Sequence, residues 1–268
     1  MVVVETHPGP LQVRGVRSSE GDRWAVPVLE PRREGVSSRL ARRIESLHPI
    51  LAFVIVVLGG FAVIAGLSIL LGLLVVHVIE PSLGIGAADE RVNGWLANHR
   101  TPTRTHASLV GSIVGGGVVL PIIAAAWALL FAVLRRWRLA AYTAFALLVE
   151  SGTYRATTLV VHAHRPRVAR LEQLPVNASY PSGHTAAAIA VYAGIALLLT
   201  SKYHAAGLRA VAWLLALAMV VFVATSRMYR GMHHPLDVAG GIVVGILALC
   251  VVVTACRVAR AVAESRSS

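Results

Sequence analysis

Six long apolar stretches, separated by short polar connections, constrain this chain more than any other feature of its sequence. They lie near residues 50–79, 107–134, 139–162, 184–201, 207–226 and 236–257. A helix needs about 20 consecutive apolar residues to cross the hydrocarbon core of a bilayer, and backbone groups left unpaired in lipid exclude most other structures. We therefore predict an all-α integral membrane protein, a six-helix bundle whose membrane domain covers residues 48–260.

The composition agrees with a membrane protein. Of the 268 residues, 56% are hydrophobic and only 14% are charged, which is unlike a soluble domain. The net charge of +12 comes mainly from arginines that flank the apolar stretches, and no basic patch is interleaved with aromatic residues. The chain is therefore predicted to contact anionic lipids and no nucleic acid. The sequence leaves the oligomeric state open.

The terminal segments differ from the apolar stretches. Residues 1–47 mix eight arginines with six acids, prolines and glycines, which is typical of a flexible tail. A short interfacial helix is expected around Arg39, Arg42 and Arg43, and residues 261–268 form a second short tail. Sixteen basic residues fall on the side of the two chain ends and eight on the other side. The positive-inside rule therefore places both termini in the cytoplasm of a multi-pass plasma (inner) membrane protein.

Three polar clusters stand at the ends of the predicted spans. The first closes the third span, the second opens the fourth, and the third joins the fifth to the sixth. Because successive connections alternate sides, all three are expected to meet on the extracytoplasmic face. They are Arg165-Pro166, then Pro181-Ser182-Gly183-His184, then Ser226-Arg227 followed by His233 and Asp237.

Four residues of these clusters suit a phosphate-binding site. A guanidinium donates two parallel hydrogen bonds to a phosphate and stays charged at any relevant pH, which favours Arg165 and Arg227 as ligands. Ser182 and Gly183 precede a predicted helix, whose unpaired N–H groups attract an anion. We predict that these four residues bind the phosphate.

The two histidines and the aspartate suit phosphoryl transfer. Asp237, four residues beyond His233, is expected to accept one imidazole N–H and leave the other ring nitrogen free to attack phosphorus. His184 is then expected to protonate the leaving oxygen and later to activate water. No step in this sequence of events needs a metal or another cofactor.

These clusters resemble the signature of the type 2 phosphatidic acid phosphatase superfamily, which includes membrane lipid phosphatases. That signature reads Lys-x6-Arg-Pro, Pro-Ser-Gly-His and Ser-Arg-x5-His-x3-Asp. The second and third parts match in full, whereas the first keeps Arg165-Pro166 but has Thr158 in place of the lysine. The resemblance covers residues 50–258 and implies the same roles for the histidines and the aspartate.

Two explanations of Thr158 stay open. A seven-residue step in a continuous helix would put positions 158 and 165 on nearly the same face, so the family's lysine would point at the phosphate. Arg155 lies one turn earlier, and its long side chain is a candidate replacement for the missing charge; Arg167 and Arg170, from the following loop, are further candidates. Alternatively, Arg155 pairs with the nearby acid Glu150.

Other polar and small residues carry weaker signals. His162 and His164 resemble a pair of metal ligands, but contact with substrate or with the membrane interface is the preferred interpretation. The glycines at 115–117 are interpreted as helix-packing positions. Cys250 and Cys256 are expected to be free thiols.

The substrate class follows from the expected position of the site. A phosphate site at the outer end of membrane helices favours an amphiphile whose tail stays in the bilayer. An outward site and a composition rich in arginine, alanine and valine favour a polyprenyl diphosphate, and phosphatidic acid and phosphatidylglycerol phosphate are further candidates. Two alternatives remain, a phosphoryl or lipid-phosphate transferase and a catalytically silent lipid-binding or transporting relative.

Overall fold

The computed structural model describes residues 25–32, 34–82, 84–175 and 177–267. These residues form helices and contain no strand, as the all-α prediction requires. Short helical turns occur at Pro27–Leu29 and Glu80–Ser82. The longer helices are α1 (Val36–Arg43), α2 (Pro49–Ile79), α3 (Ile85–Asn98), α4 (Pro102–Val114), α5 (Val119–Val133), α6 (Trp137–Val160), α7 (Gly183–Lys202), α8 (Ala206–Tyr229) and α9 (Pro235–Ser265).

Among the described residues, five segments are long and apolar enough to cross a membrane. They are α2, α4 together with α5, α7, α8 and α9. The third predicted span coincides with α6. This segment is helical, but it is not among the five segments that are long and apolar enough to cross a membrane. This helix contains Arg138, Glu150 and Arg155, and such side chains are costly in a lipid environment. The multi-pass fold is therefore present, whereas six membrane crossings are not established.

Proline and a capping residue fix where three of these helices begin. Pro49 follows His48, and Pro102 follows Thr101; both preceding side chains accept a backbone N–H of the new helix. Pro235 opens α9 in the same way. Proline fits the first helical turn because its missing N–H would have no partner there. The second span therefore begins at residue 102 and not at residue 107, where the apolar pattern predicted its start.

The second span is broken at its glycines. α4 ends at Val114 and α5 begins at Val119, so residues 115–118 interrupt the helix that the apolar pattern predicted. A Cβ added at Gly115 would lie 2.4 Å from a methyl carbon of Val223 in α8. The packing interpretation is thus confirmed at Gly115. The break also lets α4 pack on α8 while α5 packs on α6.

Helix α9 lies at the centre of the bundle, against α2, α6 and α7. A Cβ at Gly241 would lie 2.5 Å from the backbone oxygen of Ser182, and one at Gly245 would lie 2.7 Å from that of Ala186. Only glycine, which has no side chain, lets the backbones of α9 and α7 approach this closely. The glycines therefore bring the start of α7 beside the start of α9, and with it the second polar cluster beside the third.

The end of the bundle that carries residues 25–32 and the end of α9 differs from the tail that we expected. Residues 1–24 and 33 lie outside the described residues. Leu29 is buried against the bundle, and Arg257 Nε donates to the Val28 carbonyl over 2.8 Å. Residues 25–32 therefore pack on the helices and are not a free tail. Helix α1 lies where the interfacial helix was predicted.

Cys250 and Cys256 are both free thiols, as expected.

The segment 25–32 contacts the ends of α6, α7 and α9. Arg138 of α6 lies 3.1 Å from Glu30, the Val28 N–H donates to Ser201 of α7 over 2.6 Å, and Arg257 of α9 donates to the Val28 carbonyl. The polar clusters lie at the opposite ends of the same helices. The bundle thus has one basic end and one end that carries the clusters.

Candidate active site

The three polar clusters meet at one end of the bundle. The Ser182 N–H donates to the Asp237 carbonyl over 2.9 Å, which joins the second cluster to the third. Arg165 Nη1 donates to the carbonyl of Met232, the residue before His233, which joins the first cluster to the third. Their predicted convergence is therefore present in the fold, and it depends on contacts between segments more than 50 residues apart.

His233 is held by an acceptor that the sequence did not suggest. Its Nδ1 lies 2.8 Å from the Ser179 carbonyl oxygen and 3.6 Å from Asp237 Oδ2. A carbonyl oxygen only accepts hydrogen bonds, so Nδ1 must carry the proton. The lone pair is therefore on Nε2, the nitrogen that the proposed attack needs. Ser179, rather than Asp237 alone, fixes this tautomer.

Asp237 organises the groups around His233. Its Oδ2 accepts from Ser179 Oγ at 2.5 Å and from the His234 N–H at 2.8 Å, and it is 1% exposed. The second bond gives the His234 N–H, at the start of α9, an acceptor. One carboxylate thus fixes the helix start, the loop at Ser179 and the surroundings of the histidine.

The environment of His233 favours the neutral imidazole. Burial lowers the pKa of His233, and the charges of Arg227 and Arg165 act in the same direction, whereas Asp237 opposes them. A charged form is disfavoured where water is excluded and cations lie nearby. His233 is therefore uncharged near neutral pH, which is the form that the predicted nucleophile needs.

Arg227 has one occupied side and one free side. Its side chain is fully buried, and Nη1 donates to Ser112 Oγ and, over 2.7 Å, to Glu172 Oε2. Nε and Nη2 have no hydrogen-bond partner among the residues that the structure describes. Buried donors are nearly always paired, so this free edge is suited to an anion.

Arg165 contacts the backbone of the surrounding loops. Nε donates to the Pro175 carbonyl over 2.8 Å, Nη2 to that of Ala178 over 3.0 Å, and Nη1 to that of Met232. These bonds tie the α6–α7 connection to the α8–α9 connection. Each terminal nitrogen carries a second N–H, so donors remain for the predicted phosphate contact.

The second cluster forms the start of α7. Ser182 is fully buried, and its Oγ lies 3.0 Å from Thr185 Oγ1. A Cβ added to Gly183 would lie 3.0 Å from the ring of Tyr154 in α6, so glycine lets this aromatic ring pack on the helix start. His184 follows, within electrostatic range of Arg227 and His233. His184 and His233 thus lie at the same end of the bundle, with the second and third clusters joined by the Ser182–Asp237 backbone bond.

The expected geometry around Thr158 is wrong. α6 ends at Val160, so residues 158 and 165 do not share a continuous helix; the residue before a proline is disfavoured in the helical region, and Pro166 follows Arg165. Thr158 donates its hydroxyl to the Arg155 carbonyl of its own helix over 3.1 Å.

The structure contradicts the pairing of Arg155 with Glu150, whereas the role of Arg155 as the replacement charge stays a prediction. Arg155 is exposed, whereas Glu150 is buried and its Oε1 has no partner within the described part of the chain. The Arg155–Glu150 pair is therefore absent. Tyr154, one position earlier, is the α6 side chain that packs against the second cluster.

Several contacts of the site were missed because they come from outside the motifs. Asn93 of α3 donates to the His233 carbonyl over 3.0 Å and supports the α8–α9 loop. Ser112, Glu172 and Arg230 surround Arg227. No spacing rule links these positions to the clusters, so sequence patterns alone carried no signal for them.

His234 faces a second polar region beside the site. Its Nε2 lies 3.3 Å from Glu90 Oε1, next to a cavity of about 950 Å³ that His164 and Arg165 also line. Burial lowers the pKa of His234, but Asp237 and Glu90 outweigh burial and raise it to about 9. His234 is therefore a cation at neutral pH and differs in charge from His233.

A pH dependence of stability follows from the pKa of His234. The pKa of His234 in the folded protein lies above its ordinary value of 6.5, so the charged imidazolium stabilises the folded state. This contribution to stability is complete below pH 6.5 and is lost as pH rises through about 9. We expect the Tm of the detergent-purified protein to fall between these values. His234→Gln should show a weaker fall, as measured by thermal unfolding. An equal fall in both proteins would contradict the assignment.

The fold and the site together define a class, namely an all-helical multi-pass membrane protein with a histidine- and arginine-lined site at one end of its bundle. Residues 137–260 match the family described as the PAP2 superfamily, and all three clusters lie within this range. This match to the PAP2 superfamily confirms the resemblance found in the motifs.

Two relatives add detail. An undecaprenyl-diphosphatase of Sulfolobus acidocaldarius is 41% identical over 75 residues, or 28% of this chain and 32% of the relative's length. The matched segment thus spans about a third of that curated relative. The crystal structure of a transmembrane PAP2-type phosphatidylglycerolphosphate phosphatase from Bacillus subtilis matches with a TM-score of 0.54 and 25% identity. That match covers 76% of this chain and 94% of the other.

Proposed function

We propose that this protein is a membrane lipid phosphatase that hydrolyses phosphate monoesters or diphosphates of amphiphiles. The observation that carries the proposal is the arrangement at one end of the bundle. The Nε2 lone pair of His233, the free Nε–Nη2 edge of Arg227 and the start of α7 with His184 belong to one site. These groups are what an in-line phosphoryl transfer requires.

In the first step, His233 Nε2 attacks phosphorus. An N–P bond forms as the P–O bond to the lipid breaks, and His184 donates a proton to the leaving oxygen. Arg227, Arg165 and the N–H groups at the start of α7 stabilise the negative charge on the non-bridging oxygens.

In the second step, His184 accepts a proton from water, whose oxygen attacks the phosphohistidine. The N–P bond breaks, its electron pair returns to His233 Nε2, and inorganic phosphate leaves. In this proposal His184 is the acid and the base, and His233 and then water are the nucleophiles.

The site is proposed to face the extracytoplasmic side of the cell membrane, with both termini in the cytoplasm. In support, residues 25–32 and the basic positions near 138, 202 and 257 share the end of the bundle opposite the site. Such a basic end is favoured in the cytoplasm. We propose that α6 also crosses the membrane, because it packs between α5, α2 and α9.

A polyprenyl diphosphate is our favoured substrate, with phosphatidylglycerol phosphate next. The names of the two relatives support a lipid carrying a terminal phosphoryl group. Both substrates would place their phosphates at Arg227 while their hydrocarbon chains stay in the bilayer.

A substrate panel tests this proposal. We expect detergent-purified protein to release phosphate from a polyprenyl diphosphate, from phosphatidylglycerol phosphate or from phosphatidic acid, and vanadate to inhibit the release. Vanadate resembles phosphate in charge and can adopt the five-coordinate geometry of the transfer step. Absence of release across the panel, or release that vanadate does not affect, would contradict the proposal. Transfer of the phosphoryl group to an added alcohol in preference to water would favour a transferase.

A further inference from the structure

The connection between α6 and α7 places a carboxylate on the site's buried arginine. Glu172 Oε2 accepts from Arg227 Nη1 over 2.7 Å, while Oε1 accepts from Arg230 Nε over 2.5 Å and from Ser112 Oγ over 2.7 Å. The Glu172 side chain is 24% exposed, against 0% for Arg227. None of these partners of Arg227 belongs to the phosphatase motifs.

Glu172 is fixed by its own neighbours. The Leu171 N–H donates to the Arg230 carbonyl over 3.0 Å, and Arg230 Nη2 donates back to the Leu171 carbonyl over 3.0 Å. Arg230 Nη1 also donates to Ser108 Oγ over 3.3 Å. The loop beside Glu172 is thus tied to α8 through both backbone and side chain, so its carboxylate has a defined position.

This position determines what Arg227 can offer an anion. With Nη1 engaged by Glu172 and Ser112, the unpaired donors are Nε and Nη2. These two nitrogens form one side of the guanidinium fork and can bind two oxygens of a phosphoryl group at once. Without the carboxylate, Ser112 alone would hold Nη1, and the guanidinium would be less strictly oriented.

The charge of the site is consistent with this arrangement. Position 158 lacks the lysine of the family signature, while Arg230 brings a further cation beside Arg227. Burial raises the pKa of Glu172, but Arg227, Ser112 and Arg230 outweigh burial and lower it to about 2. Glu172 is therefore ionised at any pH at which the protein is folded and active.

We propose that Glu172 is a positioning residue, held by Arg230 and Ser112, that orients Arg227 so that its Nε–Nη2 edge receives the transferred phosphoryl group. This role rests on the proposed phosphatase function. It differs from a competing role in which the carboxylate occupies the phosphate position and substrate must displace it.

The two roles predict opposite effects of Glu172→Gln, a substitution that keeps the size of the side chain and removes its charge. Loss of one charged hydrogen bond that orients Arg227 should lower kcat/KM about tenfold to hundredfold. It should also weaken vanadate binding by a similar factor. Glu172→Asp should recover part of both, because the charge is kept on a shorter side chain. Gln173→Ala, at the exposed next residue, is the matched control and should behave as wild type.

Three outcomes would overturn the positioning role. Tighter vanadate binding or faster turnover in Glu172→Gln would identify the carboxylate as a competitor of phosphate. Unchanged kinetics and binding would make the contact purely structural. If Glu172→Gln does not fold, Ser112→Ala is the second variant, since Ser112 supports the same orientation of Arg227 from α4. Full activity of Ser112→Ala would then also make the contact purely structural. Vanadate binding, measured by isothermal titration, needs no turnover. It therefore tests Glu172 even if the wild-type protein hydrolyses none of the lipids.

Discussion

His233→Ala is expected to abolish phosphate release, with kcat lower by about 10⁴-fold to 10⁶-fold, as for loss of other enzymatic nucleophiles. Alanine removes the only group that forms the covalent bond in the proposed mechanism, while the phosphate-binding arginines stay in place. The measurement is phosphate release from the best lipid of the substrate panel by detergent-purified protein. Thermal unfolding of the same sample shows whether the variant is folded.

The matched control is His204→Ala. His204 is an exposed histidine between α7 and α8, at the end of the bundle opposite the site, and its removal should leave kcat unchanged. A His233→Ala protein that folds and keeps more than about a hundredth of wild-type turnover would contradict nucleophilic catalysis by this residue.

The same mechanism predicts what His184→Ala should accumulate. A diphosphate substrate releases a lipid phosphate, which needs little help from an acid because its second pKa is about 6, whereas a monoester releases a strongly basic alkoxide. The first step should therefore survive better with the diphosphate, while water attack in the second step loses its base in either case.

Phosphohistidine on His233 should consequently build up in His184→Ala with a diphosphate and much less with a monoester. Intact-protein mass spectrometry after rapid quenching at alkaline pH would detect the added phosphoryl group. Its absence with the diphosphate, in a variant that is folded and slow, would argue against a covalent intermediate.

The sequence predicted those features that depend on local chemistry. Apolar stretches gave the long helices, since only a helix satisfies its backbone in lipid. The alternation of connections brought the three clusters to one end without any knowledge of side-chain contacts.

Features that depend on tertiary contacts were not predicted. Tyr154 and Arg155 are adjacent in α6, and only packing against α7 determines that the tyrosine faces Gly183 while the arginine is exposed. The orienting acceptor of His233 is a backbone carbonyl, that of Ser179, and any residue type can supply one. Glu172 lies in an irregular loop, where periodicity gives no orientation.

The largest expected effect outside the histidines is that of Arg227→Lys. Lysine keeps the charge, but a single ammonium cannot bind Glu172 and also offer a two-nitrogen edge to a phosphoryl group. We expect kcat/KM to fall about 10³-fold, a loss typical of arginines that stabilise a transferred phosphoryl group. Vanadate binding should weaken as well, because vanadate would use the same edge.

Arg104→Lys is the matched control for Arg227→Lys. Arg104 lies near the same end of the bundle and is exposed, and among the described residues its side chain donates only to the His99 carbonyl. Its substitution should therefore change kcat/KM less than twofold, in keeping with an exposed contact. Ionic strength separates the two variants further, since salt screens exposed charges but acts weakly on a fully buried guanidinium. If both variants lost activity to the same extent, the effect would come from the charge of the membrane surface. If Arg227→Lys kept wild-type turnover, the phosphoryl group would have to bind elsewhere in the site.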